Sequence, residues 1–296
     1  MRSIAIMNQK GGVGKTTTAV NLCAALAESG AKVCLIDLDP QAHATLHLGI
    51  EPQVEFDSVY DVLVEDKSLA DVRKQVAENL WLVPSHLDLA SAESQLAGVV
   101  GREMILRDKL AADDRQFDYV FVDCPPSLGV LTINALTAVE EVFIPVQPHY
   151  FALQGLIKLS ETVELVAKRL NNRLKLSGVI FCLFEQTRLA AEVTQEVEVF
   201  REKYSPSVKI FQTKIRRNIR LAEAPSFGQP IFQYDPNSNG AEDYRLLAEE
   251  AAGGRRQEAD LLLPPETCLL AVSTPSPVRP GGGDPGRCKS LPGPLR

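Results

Sequence analysis

Long apolar runs are missing from this 296-residue chain. No stretch approaches the roughly eighteen consecutive apolar residues of a membrane-spanning helix, and Met1-Arg2 leads into the first apolar segment without a signal peptide, so a cytoplasmic protein is expected. An excess of positive charge is missing too. The formal net charge is −7, which excludes a protein that is basic all over, so any contact with nucleic acid has to be local. Aromatic residues make up only 6% with a single tryptophan, which argues against recognition by stacking on bases. The six cysteines, Cys23, Cys34, Cys124, Cys182, Cys268 and Cys288, show no Cys-x-x-Cys spacing. Neither a zinc site nor a disulfide framework is indicated, and most of them read as small buried hydrophobes. What remains is an ordinary globular balance of 45% hydrophobic and 23% charged residues, in a length that suits one large domain.

The most informative segment is Asn8-Gln9-Lys10-Gly11-Gly12-Val13-Gly14-Lys15-Thr16-Thr17-Thr18. Gly14, Lys15 and Thr16 fit the end of a phosphate-binding loop, whose usual pattern is Gly, four residues, then Gly-Lys-Ser/Thr. The first glycine position holds Gln9 instead, followed by a second lysine, Lys10. Gly11, Gly12 and Gly14 carry no Cβ, so successive backbone N–H groups can converge on phosphate oxygens. Ser3 to Met7 reads as a buried parallel strand and Thr16 to Glu28 as a helix with one apolar face, stopped at Gly30. The loop therefore feeds a helix N-terminus, where unpaired N–H groups and the helix dipole favour an anion. Lys15 would reach the β- and γ-phosphates and the Thr16 hydroxyl would hold Mg²⁺.

Two more strand ends carry carboxylates. Val33 to Ile36 runs into Asp37-Leu38-Asp39-Pro40-Gln41, and Tyr119 to Val122 delivers Asp123 before Cys124-Pro125-Pro126. Acids leaving the C-terminal edge of parallel strands face the crevice where ligands bind. Asp123 fits the metal-side acid of a phosphate-loop enzyme. Leu80–Val83 and Val142–Val146 read as further buried strands, and helices are expected at about 91 to 111, 154 to 170, 189 to 204 and 241 to 252. This alternation predicts an α/β fold: a doubly wound, mostly parallel sheet of seven or eight strands with helices on both faces.

Lys10 to Thr17, Asp37 to Gln41, Asp123 to Ser127 and Leu221-Ala222-Glu223-Ala224-Pro225-Ser226-Phe227-Gly228 together resemble the ParA/Soj family of partitioning ATPases, phosphate-loop proteins with a deviant Walker A sequence. The resemblance runs from residue 1 to about 250. It implies an ATPase that uses ATP and Mg²⁺, forms a face-to-face homodimer with ATP bound and binds double-stranded DNA without sequence preference. Hydrolysis would be stimulated by a ParB-type partner, and the protein would sit on the nucleoid. It further implies that the phosphate loop from Lys10 through Gly11, Gly12, Val13, Gly14, Lys15 and Thr16 to Thr17 binds nucleotide. Lys10 would cross to the partner subunit's phosphates, Asp39 would position the attacking water and Asp37 would support the metal shell beside Thr16 and Asp123. The chain departs from the family pattern at Ala42-His43, at Glu185 and at Arg216, and the residues around the adenine stay open.

Residues 201 to 220 hold seven basic residues and one acid, Glu202, a local balance of +6. Such clustering suits phosphate contacts that do not read sequence. Arg188, Arg217 and Arg220 match positions that the family uses for DNA. From Gly253 the composition changes: the last 44 residues hold eight of the nineteen prolines. Residues 253–296 are expected to form a disordered Pro/Gly-rich tail after an ATPase domain of residues 1–252. Three other readings compete. A MinD-like ATPase on a membrane would need an amphipathic C-terminal helix, which Pro264 and Pro265 interrupt. A low-turnover scaffold for ATP and DNA is weighed against by Lys10, Asp39 and Asp123. An iron-protein reductase would need paired cluster cysteines.

Overall fold

The computed structural model describes residues 1–52 and 56–262, with side chains to residue 253. Eight strands form one sheet: β1 (Arg2–Ile6), β2 (Val33–Asp37), β3 (Lys74–Ala77), β4 (Leu80–Val83), β5 (Tyr119–Asp123), β6 (Glu141–Val146), β7 (Lys175–Phe181) and β8 (Lys209–Ile210). Their order is β3-β4-β2-β5-β1-β6-β7-β8, with every pair parallel except the edge pair β3/β4. β2 to β5 lie on one side of β1 and β6 to β8 on the other, so the loop that leaves β1 opens where the winding reverses. Ligand crevices of open α/β sheets form at that point.

The central strands β1, β2, β4 and β5 are buried almost throughout because both faces of the sheet are covered there. Along β2, Cys34 and Ile36 join one core with Val120, Val122, Val142 and Ile144, over which the helices Val130–Ala138, Ala152–Arg169 and Arg188–Tyr204 pack. Val33 and Leu35 join the other with Ile4, Ile6, Phe121 and Phe143, under the helices Lys15–Glu28 and Asn239–Leu262. The Arg2 guanidinium grips both carboxylate oxygens of Glu141, at 2.6 and 2.9 Å, and donates to the Ala251 carbonyl at 2.6 Å. That clamp ties the first strand to the last helix.

The predicted core elements are present, and Gly30 does end the first helix. Its φ is +91°, and the amides of Gly30 and Ala31 fold back on the carbonyls of Ala27 and Leu26, an arrangement that a residue with a Cβ adopts only under strain. The helix expected at about 91 to 111 is instead a series of short turns, ending in Ile105–Ala112. Gly101 at φ +77° and Val99 in extended conformation break it. The last helix continues past Gly253 to Leu262, so the composition break does not end the helix, and residues Met1–Arg255 pack as one unit. The remainder of the predicted tail, 263–296, lies outside the described residues, as do Cys268 and Cys288. The four described cysteines are free and buried, and no described helix is long and apolar enough to cross a membrane.

Candidate active site

The phosphate loop leaves β1 with Gly12 at φ +74° and Gly14 at φ +93°. Gly14 is the cap of the helix Lys15–Glu28, and its carbonyl receives the Thr18 amide at 2.9 Å. The preceding N–H groups of this turn have no partner within a helix. Asn8 braces the loop from the other side. It donates from Nδ2 to the Pro145 carbonyl at 2.7 Å and accepts the Lys10 amide at 3.0 Å. Lys15 folds back under the loop, its Nζ donating to the Lys10 carbonyl at 3.2 Å. Burial lowers the Lys15 pKa, opposed by the charges of Asp123 and Asp39. Lys10 is exposed, and its ammonium lies against Nε2 of His149 rather than among the carboxylates.

The sheet register sets the acids. Asp37 and Asp123 are direct partners on β2 and β5, and Asp123 is also level with Ile6, where β1 ends. Identical in type and adjacent in space, the two are used differently. Asp37 accepts from the Asp39 amide (3.2 Å) and from both the amide and the hydroxyl of Thr45 (2.8 and 2.7 Å). Thr45 Oγ1 in turn accepts the Ser85 amide, and the Ser85 hydroxyl donates to the Asp39 carbonyl at 2.9 Å. Asp37 is thus the hub that fixes the loop carrying Asp39. Burial raises its pKa to about 6, against the pull of those hydrogen bonds.

Asp123 is 1% exposed, and neither carboxylate oxygen has a hydrogen-bond partner. Burial and the nearby Asp37 charge push its pKa well above the ordinary carboxylate range; the Thr16 hydroxyl opposes them, Asp39 adds to them and Lys15 opposes them. A buried carboxylate without a donor is costly. Hard divalent cations take such oxygen ligands, and the Thr16 hydroxyl beside it completes a donor set that fits Mg²⁺.

A cavity of about 440 Å³ opens over the loop. Gly11, Gly12, Gly14, Lys15, Thr16, Thr17, Asp39, Gln41 and His43 line one end. The rest of its wall comes from distant sequence: Cys182 and Leu183, Ile215 and Arg216, Asn218, Leu221 and Tyr244. Burial pushes the Cys182 thiol up to about 12, so it is an inert wall. Tyr244 is fully buried with its hydroxyl 3.1 Å from that of Thr18. Arg216 is pinned by Asp243 and Glu242, each at 2.6 Å. The sequence reading assigned no site role to these wall residues, although Leu221 lies in a motif that carries the family resemblance and Arg216 at a departure from it; Cys182 and Tyr244 reach the cavity only through the fold. His43, where the chain departs from the family pattern, begins the short helix His43–His47, is exposed and lines this cavity.

Much of the +6 charge of residues 201–220 is paired in the fold, with Lys203 and Lys214 outside the ion pairs of the described residues. Arg201 pairs with Glu198, Lys209 with Glu250, Arg216 with Asp243 and Glu242, Arg217 with Glu185, and Arg220 with Glu223 and Asp235. Glu198 and Glu223 flank the stretch, whereas Glu185, Asp235, Glu242, Asp243 and Glu250 come from segments a linear window does not see. Arg188, Arg217 and Arg220 nevertheless keep side chains 94%, 61% and 50% exposed. Backbone bonds from Phe184 to Ile215 (2.9 Å) and from Arg217 to Phe184 (3.2 Å) lay the segment leading to Arg188 beside the one leading to Arg220.

Comparison with known proteins agrees with this geometry. The AAA domain family model matches residues 1–176. The chain is 50% identical over 252 residues to the sporulation initiation inhibitor protein Soj of Bacillus subtilis, covering 84% of this chain and 97% of that one. It is 45% identical over 261 residues to the chromosome-partitioning ATPase Soj of Thermus thermophilus, covering 88% and 98%. Among solved structures, cobyrinic acid a,c-diamide synthase from Mycobacterium smegmatis with bound ADP and magnesium superposes with a TM-score of 0.74 at 36% identity, covering 88% and 96%. Loop, acids and relatives converge, and the chain belongs to the Soj/ParA family of chromosome-partitioning ATPases.

Proposed function

We propose that this ATPase is a switch for moving DNA: with ATP bound it dimerises and holds double-stranded DNA without sequence preference, and hydrolysis stimulated by a ParB-type partner releases it. The observation that carries the nucleotide half is the bare, buried Asp123 carboxylate beside Thr16, at the mouth of a loop whose glycines take positive φ. Thr16 and Asp123 would hold Mg²⁺, with Asp37 supporting the arrangement through Thr45 and Asp39. Bound there, the ion would neutralise charge on the β- and γ-phosphate oxygens.

The chain's own groups do the remainder. Backbone amides from Gly11 to Thr17 bind phosphate, with Val13 buried beneath them as the loop's anchor. Lys15, drawn in under the loop, reaches the β- and γ-phosphates. Asp39, held by Ser85 and Gln41, orients the water; the attacking water needs alignment more than a strong base. Lys10 is free of the carboxylates and exposed, which supports a role across a dimer interface. A cation supplied in trans is worth roughly 10³ to 10⁵ in rate in other phosphoryl-transfer systems. Arg188, Arg217 and Arg220 would contact DNA phosphates, and their present acidic partners on the surface are weak competitors.

ATP turnover measured alone, with duplex DNA, and with DNA plus an N-terminal ParB-type peptide tests this reading. Slow basal turnover that rises with both additions is expected. Lys15→Ala should lose nucleotide binding, whereas Lys10→Ala should bind ATP and lose stimulated turnover. Arg217→Glu should lose ATP-dependent DNA retention, and the wild type should release DNA at high salt. Salt-insensitive retention by Arg217→Glu removes the DNA assignment. Flotation with liposomes in ATP would replace the reading with a membrane-positioning one.

A further inference from the structure

We infer that Ser85 is a positioning residue for ATP hydrolysis: its hydroxyl ties the main chain of Asp39 to the neighbouring strand and so sets where that carboxylate stands in the cavity. The inference rests on the reading of Asp39 as the acid that orients the attacking water.

The sheet brings the two together from 46 residues apart. β2 and β4 run parallel with Ile36 level with Val83, so the chain leaving β4 meets the turn that leaves β2. Ser85 has no exposed surface, and its neighbours are fixed: the Pro84 carbonyl receives the Val59 amide at 2.8 Å and the His86 carbonyl the Leu89 amide at 3.1 Å. A side chain so placed is a rigid post. It makes two contacts with the segment after β2. Its amide donates to Thr45 Oγ1 at 2.9 Å, and its hydroxyl donates to the Asp39 carbonyl at 2.9 Å.

The turn itself is closed by local bonds. The Ala42 amide reaches the Asp39 carbonyl at 2.9 Å, and the Gln41 amide reaches Asp39 Oδ1 at 2.9 Å. Those bonds shape the turn but move with it, because all three residues belong to it. Two others tie Asp39 to the sheet: its amide on Asp37 Oδ1 at 3.2 Å, and the Ser85 hydroxyl on its carbonyl. Held at amide and carbonyl, the residue cannot rock. Without the hydroxyl only the amide tie remains, at the long end of the hydrogen-bond range. The carbonyl would keep the Ala42 amide, so no buried acceptor is orphaned. The loss therefore falls on alignment rather than on folding, and alignment of the water is what phosphoryl transfer asks of this acid. None of these bonds involves Gly11 to Thr17.

Single-turnover hydrolysis of ATP already bound reads the effect. Ser85→Ala should hydrolyse about tenfold more slowly than the wild type, the upper end of what one hydrogen bond is worth, with the steady-state KM for ATP within about twofold. Ser85→Cys keeps the volume with a poor donor and should be slow as well. Independently of turnover, both variants should keep the wild-type rise in melting temperature with Mg²⁺ and a non-hydrolysable ATP analogue. If both hydrolyse bound ATP at the wild-type rate while Asp39→Asn does not, the inference fails and the role of Asp39 stands. If KM rises with hydrolysis of bound ATP unchanged, or the melting shift is lost, Ser85 serves nucleotide binding and the inference is overturned. If Asp39→Asn hydrolyses like the wild type, both fall together.

Discussion

Replacing Gly228 by alanine tests the closest backbone approach near the site. Gly228 has φ +64°, and a Cβ built on it would lie 2.7 Å from the Gly49 Cα and 3.2 Å from the Gly49 nitrogen. Those are backbone atoms and cannot swing aside. An alanine held in the left-handed region costs about 1–2 kcal/mol, and the reduced freedom of the unfolded chain returns roughly 0.4–1 kcal/mol. Relieving the overlap by shifting a packed segment adds about 1–3 kcal/mol. The sum spans about 1–5 kcal/mol, centred near 3 kcal/mol. Gly30 is the control, because it has φ +91° and nothing within 4 Å of its Cβ position. Gly30→Ala should carry the conformational part alone, about 1 kcal/mol or less. Urea unfolding of both variants, compared at constant m-value, gives the difference. If Gly228→Ala and Gly30→Ala fall within 0.5 kcal/mol of one another, the close approach of the two loops does not exist.

His47 is buried with Nε2 unpartnered, and burial lowers its pKa to about 4 from the ordinary 6.5, against the pull of the Gln229 backbone. The native state resists the proton that the unfolded state takes up, so stability is full above pH 6.5 and falls as the pH drops toward 4. The loss should total about 3 kcal/mol, and His47→Leu should remove that slope in urea titrations at pH 7.5 and 4.5. Arg216→Ala leaves Asp243 buried without its bidentate partner and should cost about 2 kcal/mol; Arg188→Ala, at a pair on open surface, should melt with the wild type. Nucleotide with Mg²⁺ should raise the melting temperature of the wild type, with the rise lost in Asp123→Ala; an equal shift in that variant would detach Asp123 from the metal.

The phosphate end of the site was legible because its residues are consecutive. Gly12, Gly14, Lys15 and Thr16 lie in one turn, and their chemistry follows from local backbone geometry. Asp123 was legible as a strand end, since a buried parallel strand delivers its last side chain to the crevice. Asp37 shows the limit. Residue type and position were evident, but not that Thr45 and the Asp39 amide occupy its oxygens, because that depends on how the chain turns after Pro40. The edge strands β3 and β8 are too short and too exposed to carry an apolar pattern. In the basic stretch of 201–220 charge was legible along the chain, but not its pairing with Glu185, Asp235, Asp243 and Glu250, which happens across it.

The cavity wall has two owners. The end that meets phosphate is drawn from residues before 44, with Pro126, while the opposite wall is drawn from 182–183, 215–222 and Tyr244, all beyond the 1–176 span of the family match. The two ends of the cavity are therefore supplied by separate stretches of the chain. Substitutions in the second group would reshape the far wall and leave the glycine loop, Lys15 and Thr16 as they are.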